Sequence, residues 1–323
     1  MDYLEDKKLL ELRFSNGMMI LPFVRYKLLC SKNQDNTSSS SRNPVSKPTI
    51  FFRLFSNLIR IRVKKKKLVF FSSTLFNVEV EGEKGIYYNS MDGYYYDLFP
   101  EDSLLIEDAD EEFEWRAKNS YKSMSFIRTY LLFLSFTLSR VFNKIKPIRR
   151  IDFDYIIKNY PELYTIEELG RLDYFHRIYY SLIKWVLKKT QCNLIAVNCG
   201  SYGETYAPLI KAAHDLGIKV IEMQHGAILQ SHLGYHADDF IVNHDEYATY
   251  LPDILYSFGD YWKQYIDWKY EIISVGSPHL NRYIKQYASE EVINDFLIIS
   301  QPSIREHVLS FAKDLASFYP EKK

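Results

Sequence analysis

Residues 193–226, NLIAVNCGSYGETYAPLIKAAHDLGIKVIEMQHG, decide the fold. A short apolar run breaks into Gly200 and Gly203. An amphipathic segment, ETYAPLIKAAHDLG, follows and is closed by Gly217. A second apolar run, IKVIEM, then turns abruptly polar at Gln224-His225-Gly226. Short apolar runs fit strands buried on both faces, and the apolar spacing between them fits a helix. Strand, helix, strand with glycine punctuation reads as a βαβ unit of a parallel sheet.

The rhythm continues downstream. DILYSFG (253–259) and YEIISVGSP (270–278) are strand candidates, with a short helix DYWKQYI (260–266) between them. After a charged segment at 285–291, DFLIISQP (295–302) opens another strand. SIREHVLSFAKDLASFYP reads as its helix, with Ser303 and Glu306 at capping-box spacing. Upstream, KLVFFSST (67–74), YYNSMDGYYYDL (87–98, with a turn at Asp92-Gly93) and SLLIEDA (103–109) read as strands. Residues 118–145 and 173–189 read as helices. The Ser/Asn/Pro stretch at 34–48 reads as a flexible loop. The fold expected is α/β, with a Rossmann-like parallel sheet. Its parts are an N-terminal element (1–33), the loop (34–48), a Rossmann-like domain (49–284) and the start of a second domain (292–323).

Length and composition bound the function. The 323 residues suit two domains, and 47% of them are apolar. Lys plus Arg equals Asp plus Glu, 41 against 41, so no global field draws nucleic acid. RIRVKKKK (60–67) and EDADEEFE (107–114) are local charge runs, read as solvated flanks; membrane attraction is the second reading of the basic one. The 27 Tyr and 21 Phe suit core packing, with a share left for a sugar-lined or membrane-facing groove. Cys30, Cys192 and Cys199 share no metal spacing and point to a reducing compartment. The N-terminus MDYLEDKKLLEL carries no signal-peptide core. Arg128 and Arg140 interrupt MSFIRTYLLFLSFTLSRVF (124–142), leaving eleven uncharged residues between them, too few to span a bilayer. A buried helix is expected there, with an interfacial helix as the second reading.

Ligands of open parallel sheets bind at the carboxyl ends of the strands. Three strands end in polar, glycine-bearing loops: NCGSYGE, EMQHG and VGSPHLNR. Gly200-Ser201-Tyr202-Gly203 supports two readings. Free N–H groups before a helix bind an anion, or the turn is a tight strand-to-helix connection with Glu204 at the helix start. His225 at a strand end suits a general base or a phosphate contact. His232, His236, Asp238, Asp239, His244 and Asp245 lack any known metal-site spacing and read as a polar loop. No P-loop, dinucleotide fingerprint or G-x-S-x-G occurs.

Five stretches together resemble bacterial capsule and surface-polysaccharide glycosyltransferases of the two-Rossmann GT-B fold. They are KVIEMQHGAI (219–228), HLGYH (232–236), LPDILYSFGDYWKQYI (251–266), ISVGSPHLNRYI (273–284) and DFLIISQPSIREHVLSFAKDLA (295–316). LPFVRYKLL (21–29) also resembles an N-terminal segment of such proteins. The resemblance implies transfer of a sugar from a nucleotide-sugar donor to a glycan or lipid-linked glycan acceptor, with no bound metal or other cofactor. It implies His225 and Glu204 as catalytic residues. For substrate binding it implies Gly200, Ser201, Tyr202, Gly203, Gln224, Gly226, His232, Tyr235, His236, Gly276, Ser277, Pro278 and Gln301. It places the protein in the cytoplasm or on the inner face of the plasma membrane. The family's second domain is longer than residues 292–323, so the expectation is a chain cut short early in that domain. Such a chain is inactive alone, or a separate polypeptide completes it. The alternatives are a sugar-nucleotide epimerase-like enzyme and a non-catalytic remnant or partner-binding subunit.

Overall fold

Seven strands form one sheet in the order β5-β4-β1-β6-β7-β8-β9, every neighbouring pair parallel. The structure is a computed structural model describing residues 6–32, 47–56, 58, 61–80, 82–109, 121, 123–230, 232–287 and 305–319. In chain order, α1 (Leu21–Lys32) and α2 (Lys47–Ser56) precede β1 (Leu68–Ser73). A hairpin of β2 (Asn77–Glu79) and β3 (Tyr87–Asn89) follows, then α3 (Gly93–Leu98), β4 (Ser103–Asp108) and β5 (Met124–Ser125). Three helices come next: α4 (Ile127–Ile145), α5 (Ile151–Asn159) and α6 (Ile166–Thr190). The βαβ unit is β6 (Leu194–Asn198), α7 (Tyr206–His214) and β7 (Lys219–Met223). Then come α8 (Asp239–Val242), α9 (Asp245–Ala248), β8 (Ile254–Ser257), β9 (Glu271–Ser274), α10 (Pro278–Tyr287) and α11 (Arg305–Phe318).

The strand order is that of a doubly wound, Rossmann-like sheet. It grows one way from β1 through β4 and β5, then returns and grows the other way from β6. The order therefore reverses between β1 and β6. One face carries Val69, Phe71, Ile195, Val197 and Val220 against α6 and α7, which bury Ile183, Leu187, Leu209 and Ile210. The opposite face carries Phe70, Leu105, Ala196, Ile221 and Met223 beneath Tyr96 and Tyr121. Alternate residues of β1, β6 and β7 serve opposite faces, which is why these strands read as unbroken apolar runs.

A third cluster joins residues 9–29 to α5, the start of α6 and the segments around Tyr235, Tyr250 and Trp268. The N-terminal element thus shares this core. Asp6 accepts hydrogen bonds from Tyr155 at 2.9 Å and Tyr160 at 2.7 Å, and Asp173 accepts the Ser15 N–H at 2.7 Å.

Three local readings change. Residues 93–98, read as strand, are the helix α3: consecutive tyrosines satisfy either period, and Gly93 lets the Tyr88 and Tyr121 rings lie where a Cβ would stand. Residues 285–287 belong to α10. Met124 and Ser125, read inside a helix over 118–145, form the short edge strand β5, and α4 begins only at Ile127. Ser303 and the strand read at 295–302 lie outside the described residues, as do most of the loop at 34–48 and most of the acidic run. Among the described residues no helix is long and apolar enough to cross a membrane.

Candidate functional site

The β6–α7 turn is strained. Cys199 at φ 61° and Glu204 at φ 48° adopt the left-handed conformation, and Gly203 at φ 80° lies between them. Left-handed backbone costs a non-glycine residue about 1–2 kcal/mol, so such a turn persists only where its surroundings fix it. Here they do. The Ser201 N–H and hydroxyl both donate to Glu222, the N–H at 2.9 Å, and Gly200 adds a backbone hydrogen bond. Tyr202 and Gly203 donate to the carbonyls of Cys199 and Gly200, both at 3.2 Å, and Glu204 donates to Pro22 at 3.2 Å.

The carboxyl this turn holds is therefore the protein's own. Glu222 is fully buried and also receives the Tyr235 hydroxyl at 2.8 Å. Burial pushes its carboxyl up to about 7 against the pull of those donors. Between the two readings of Gly200–Gly203, the geometry selects the tight turn: its N–H groups are taken up internally. Gly200, Ser201, Gly203 and Tyr235 shape the site. Glu222 holds it together, and no role was read for it in the sequence, although a carboxylate inside an otherwise apolar buried strand is a visible signal.

What the turn presents outward is Tyr202. Its hydroxyl meets His225 Nε2 at 3.4 Å and also bonds His232 Nε2. The ring centroids lie 5.7 Å from His225 and 5.5 Å from His232. Gly234 allows the approach, since a Cβ there would crowd the Tyr202 ring. His225 is half-buried, and burial with His232 beside it pushes its imidazole down to about 4. Its Nδ1 is buried and has no hydrogen-bond partner. A Cβ at Gly226 would meet nothing within 4 Å beyond its chain neighbours, so the loop after the histidine borders open space.

The remaining loop residues hold this frame. Gln224 is buried, donating to the Gly226 carbonyl and accepting the Phe258 N–H, each at 2.7 Å, which ties the ends of β7 and β8. His236 uses both nitrogens, with Asp267 at 3.0 Å and the Leu229 carbonyl at 3.2 Å. Arg25, fully buried on α1, donates to the carbonyls of Leu233 and His236 and lies 4.9 Å from the Trp268 ring. Glu204 is exposed and its carboxyl is raised by desolvation. It is close enough to Tyr26 and Tyr164 to raise both phenols further, behind the larger effect of their own burial.

Gly276, Ser277 and Pro278 are elsewhere. They follow β9, two strand spacings or about 10 Å from β7, and open α10. Pro278 lines a cleft of about 440 Å³ with Tyr88, Tyr94, Tyr95, His279, Arg282 and Lys285. Aromatic walls with cationic heads suit a phosphorylated, ring-bearing ligand. Gln301 lies outside the described residues.

The point where strand order reverses is filled. Ser72 accepts from Asn89 at 2.9 Å, Asn198 donates to Asp92 at 3.0 Å, and all four side chains are buried. Burial pushes the Asp92 carboxyl up to about 6. The hairpin and the start of α3 thus plug the crevice where Rossmann folds seat a ligand. Among the described residues, no group of three or more His, Cys, Asp or Glu could hold a metal ion.

The fold and site define a doubly wound α/β protein with a histidine–tyrosine cluster at the carboxyl edge of its sheet. No protein-family model, curated protein or solved structure matches the chain.

Proposed function

We propose that this chain is a glycosyltransferase-like protein of bacterial surface-polysaccharide synthesis, capsule or O-antigen. It handles a glycan or lipid-linked glycan acceptor at the Tyr202–His225–His232 cluster, with a nucleotide-sugar as donor. The observation that carries the reading is a neutral, half-buried histidine at a strand's carboxyl end, with its Nδ1 unpartnered and its Nε2 facing the Tyr202 hydroxyl at 3.4 Å. Aromatic faces such as Tyr202 pack on the apolar faces of sugar rings, and a neutral imidazole accepts a hydroxyl proton.

In this reading the acceptor oxygen attacks the anomeric carbon as His225 takes its proton. The bond from that carbon to the nucleoside diphosphate breaks, and the diphosphate leaves with the bonding pair. An imidazole held near 4 is a weak base by itself; a diphosphate arriving nearby raises it. Tyr202 fixes the ring through its hydroxyl. Glu204 is the other candidate base, on the α1 side of the cluster. The test is mass-spectrometric detection of transfer from UDP-, GDP-, CMP- and CDP-sugars to oligosaccharide and lipid-linked acceptors. His225→Ala is expected to lower the rate by about a hundredfold or more. Undiminished transfer by that variant, or no binding of any glycan acceptor at the His225 cluster, counts against the reading.

A further inference from the structure

Beyond its first turns, which bury Ile127 and Leu131 in the core, helix α4 is packed the wrong way round for a helix on the outside of a protein. The residues it turns inward include Arg128, Ser135, Ser139 and Asn143. The exposed side carries Phe133, Leu134, Val141 and Ile145, Ile145 being 75% exposed. Ordinarily the apolar stripe faces the core.

The orientation is locked. Arg128 pairs with Asp108 and donates to Tyr179 at 3.0 Å, pinning the start of the helix. Asn143 donates to the Glu167 carbonyl at 3.1 Å, and its side chain lies where a Cβ on Gly170 would stand. Phe136 stacks on Phe175 at 4.2 Å. These contacts run α4 antiparallel to the first half of α6. A half-turn about its axis would drive Val141 and Ile145 into the close approach at Gly170.

Charge identifies what the exposed face meets. From Ile127 to Ile151 the chain has no Asp or Glu, while Arg140, Lys144, Lys146, Arg149 and Arg150 cluster at its far end. The carboxylate facing that end from α5 is Asp152, paired with Arg150 at 3.1 Å. An exposed apolar stretch about 18 Å long, with Arg140 and Lys144 beside it on the same helix and the carboxylates Asp152 and Glu167 confined to the neighbouring helices, matches the boundary of an anionic bilayer. A protein partner would have to supply acidic groups and an apolar surface together; a lipid leaflet supplies both.

We propose that α4 lies in the headgroup region of an anionic membrane, its Leu134–Val141–Ile145 face inserted and Arg140 and Lys144 on lipid phosphates. The proposal is independent of sugar transfer. Because α4 starts at the carboxyl end of β4, docking would turn that edge of the sheet toward the lipid.

The test is co-sedimentation of the full chain with vesicles, either phosphatidylcholine alone or phosphatidylcholine mixed equally with phosphatidylglycerol. Binding to the mixed vesicles only is expected, weakened by salt. The variants Val141→Ser/Ile145→Ser and Arg140→Glu/Lys144→Glu should each lower it by about tenfold or more. Both alter exposed positions, and unchanged melting checks that they fold. Equal binding to neutral vesicles, no binding, or variants that bind like wild type would overturn the proposal. So would a dimer that either variant dissociates, since a second copy would then cover the face.

Discussion

Asp92 and Glu222 are both carboxyls sealed inside the sheet's carboxyl edge, and both are raised by burial. A carboxyl whose folded value exceeds its unfolded one favours the native state below the unfolded value. That advantage is lost as pH rises to the folded value. For Asp92 the window runs from about 4 to about 6. Asp92→Asn keeps the shape and an acceptor for Asn198 while removing the buried charge. It should stabilise the protein at pH 8 by up to roughly 3 kcal/mol and change little at pH 3.5. Urea midpoints at the two pH values measure this; a less stable variant at pH 8 would mean that the ionised carboxyl is needed. At this scale the sequence was partly legible. His225 stands out because glycine and polar residues follow an apolar run. The role of Glu222 was hidden, because its partners Ser201 and Tyr235 are 21 and 13 residues away.

Among the elements, the β6–α7 turn depends on the N-terminal segment. A Cβ at Gly203 would overlap the Pro22 carbonyl oxygen, and the residue's φ of 80° is unfavourable for any side chain. Gly203→Ala should cost more than about 2 kcal/mol and loosen residues 6–32, seen as a lower melting temperature and faster proteolysis there. Gly226→Ala is the control. Its Cβ has open space and its φ is not left-handed, so stability should change by less than about 0.5 kcal/mol. If both variants behave alike, the close approach at Pro22 does not matter. The β6–α7–β7 unit was legible because apolar period and glycine punctuation agree in it. Helix α3 was not, because YYY fits a strand and a helix equally. The exposed apolar face of α4 was also invisible: spacing shows that a helix has two sides, and only Gly170 and Asn143 reveal which side faces in.

Across the whole molecule, the parallel sheet and its polar carboxyl edge followed from pattern, but the strand order did not. The reversal between β1 and β6 depends on how a three-helix crossover returns, which no local signal encodes. For the same reason pattern does not show how the three polar loops group: they divide between the Tyr202–His225 cluster and the cleft at Pro278, Arg282 and Lys285. The central claim is that a glycan or nucleotide-sugar meets His225. The most direct measurement is imidazole NMR on protein labelled at histidine nitrogens, with His225→Gln assigning the resonance, titrated with oligosaccharides and nucleotide-sugars. The His225 ring is expected to be neutral at pH 7 and to stay so to about pH 5, and its nitrogens to shift together with those of His232 as ligand is added. A ring protonated at pH 7, or resonances that no glycan or nucleotide-sugar moves, would contradict it.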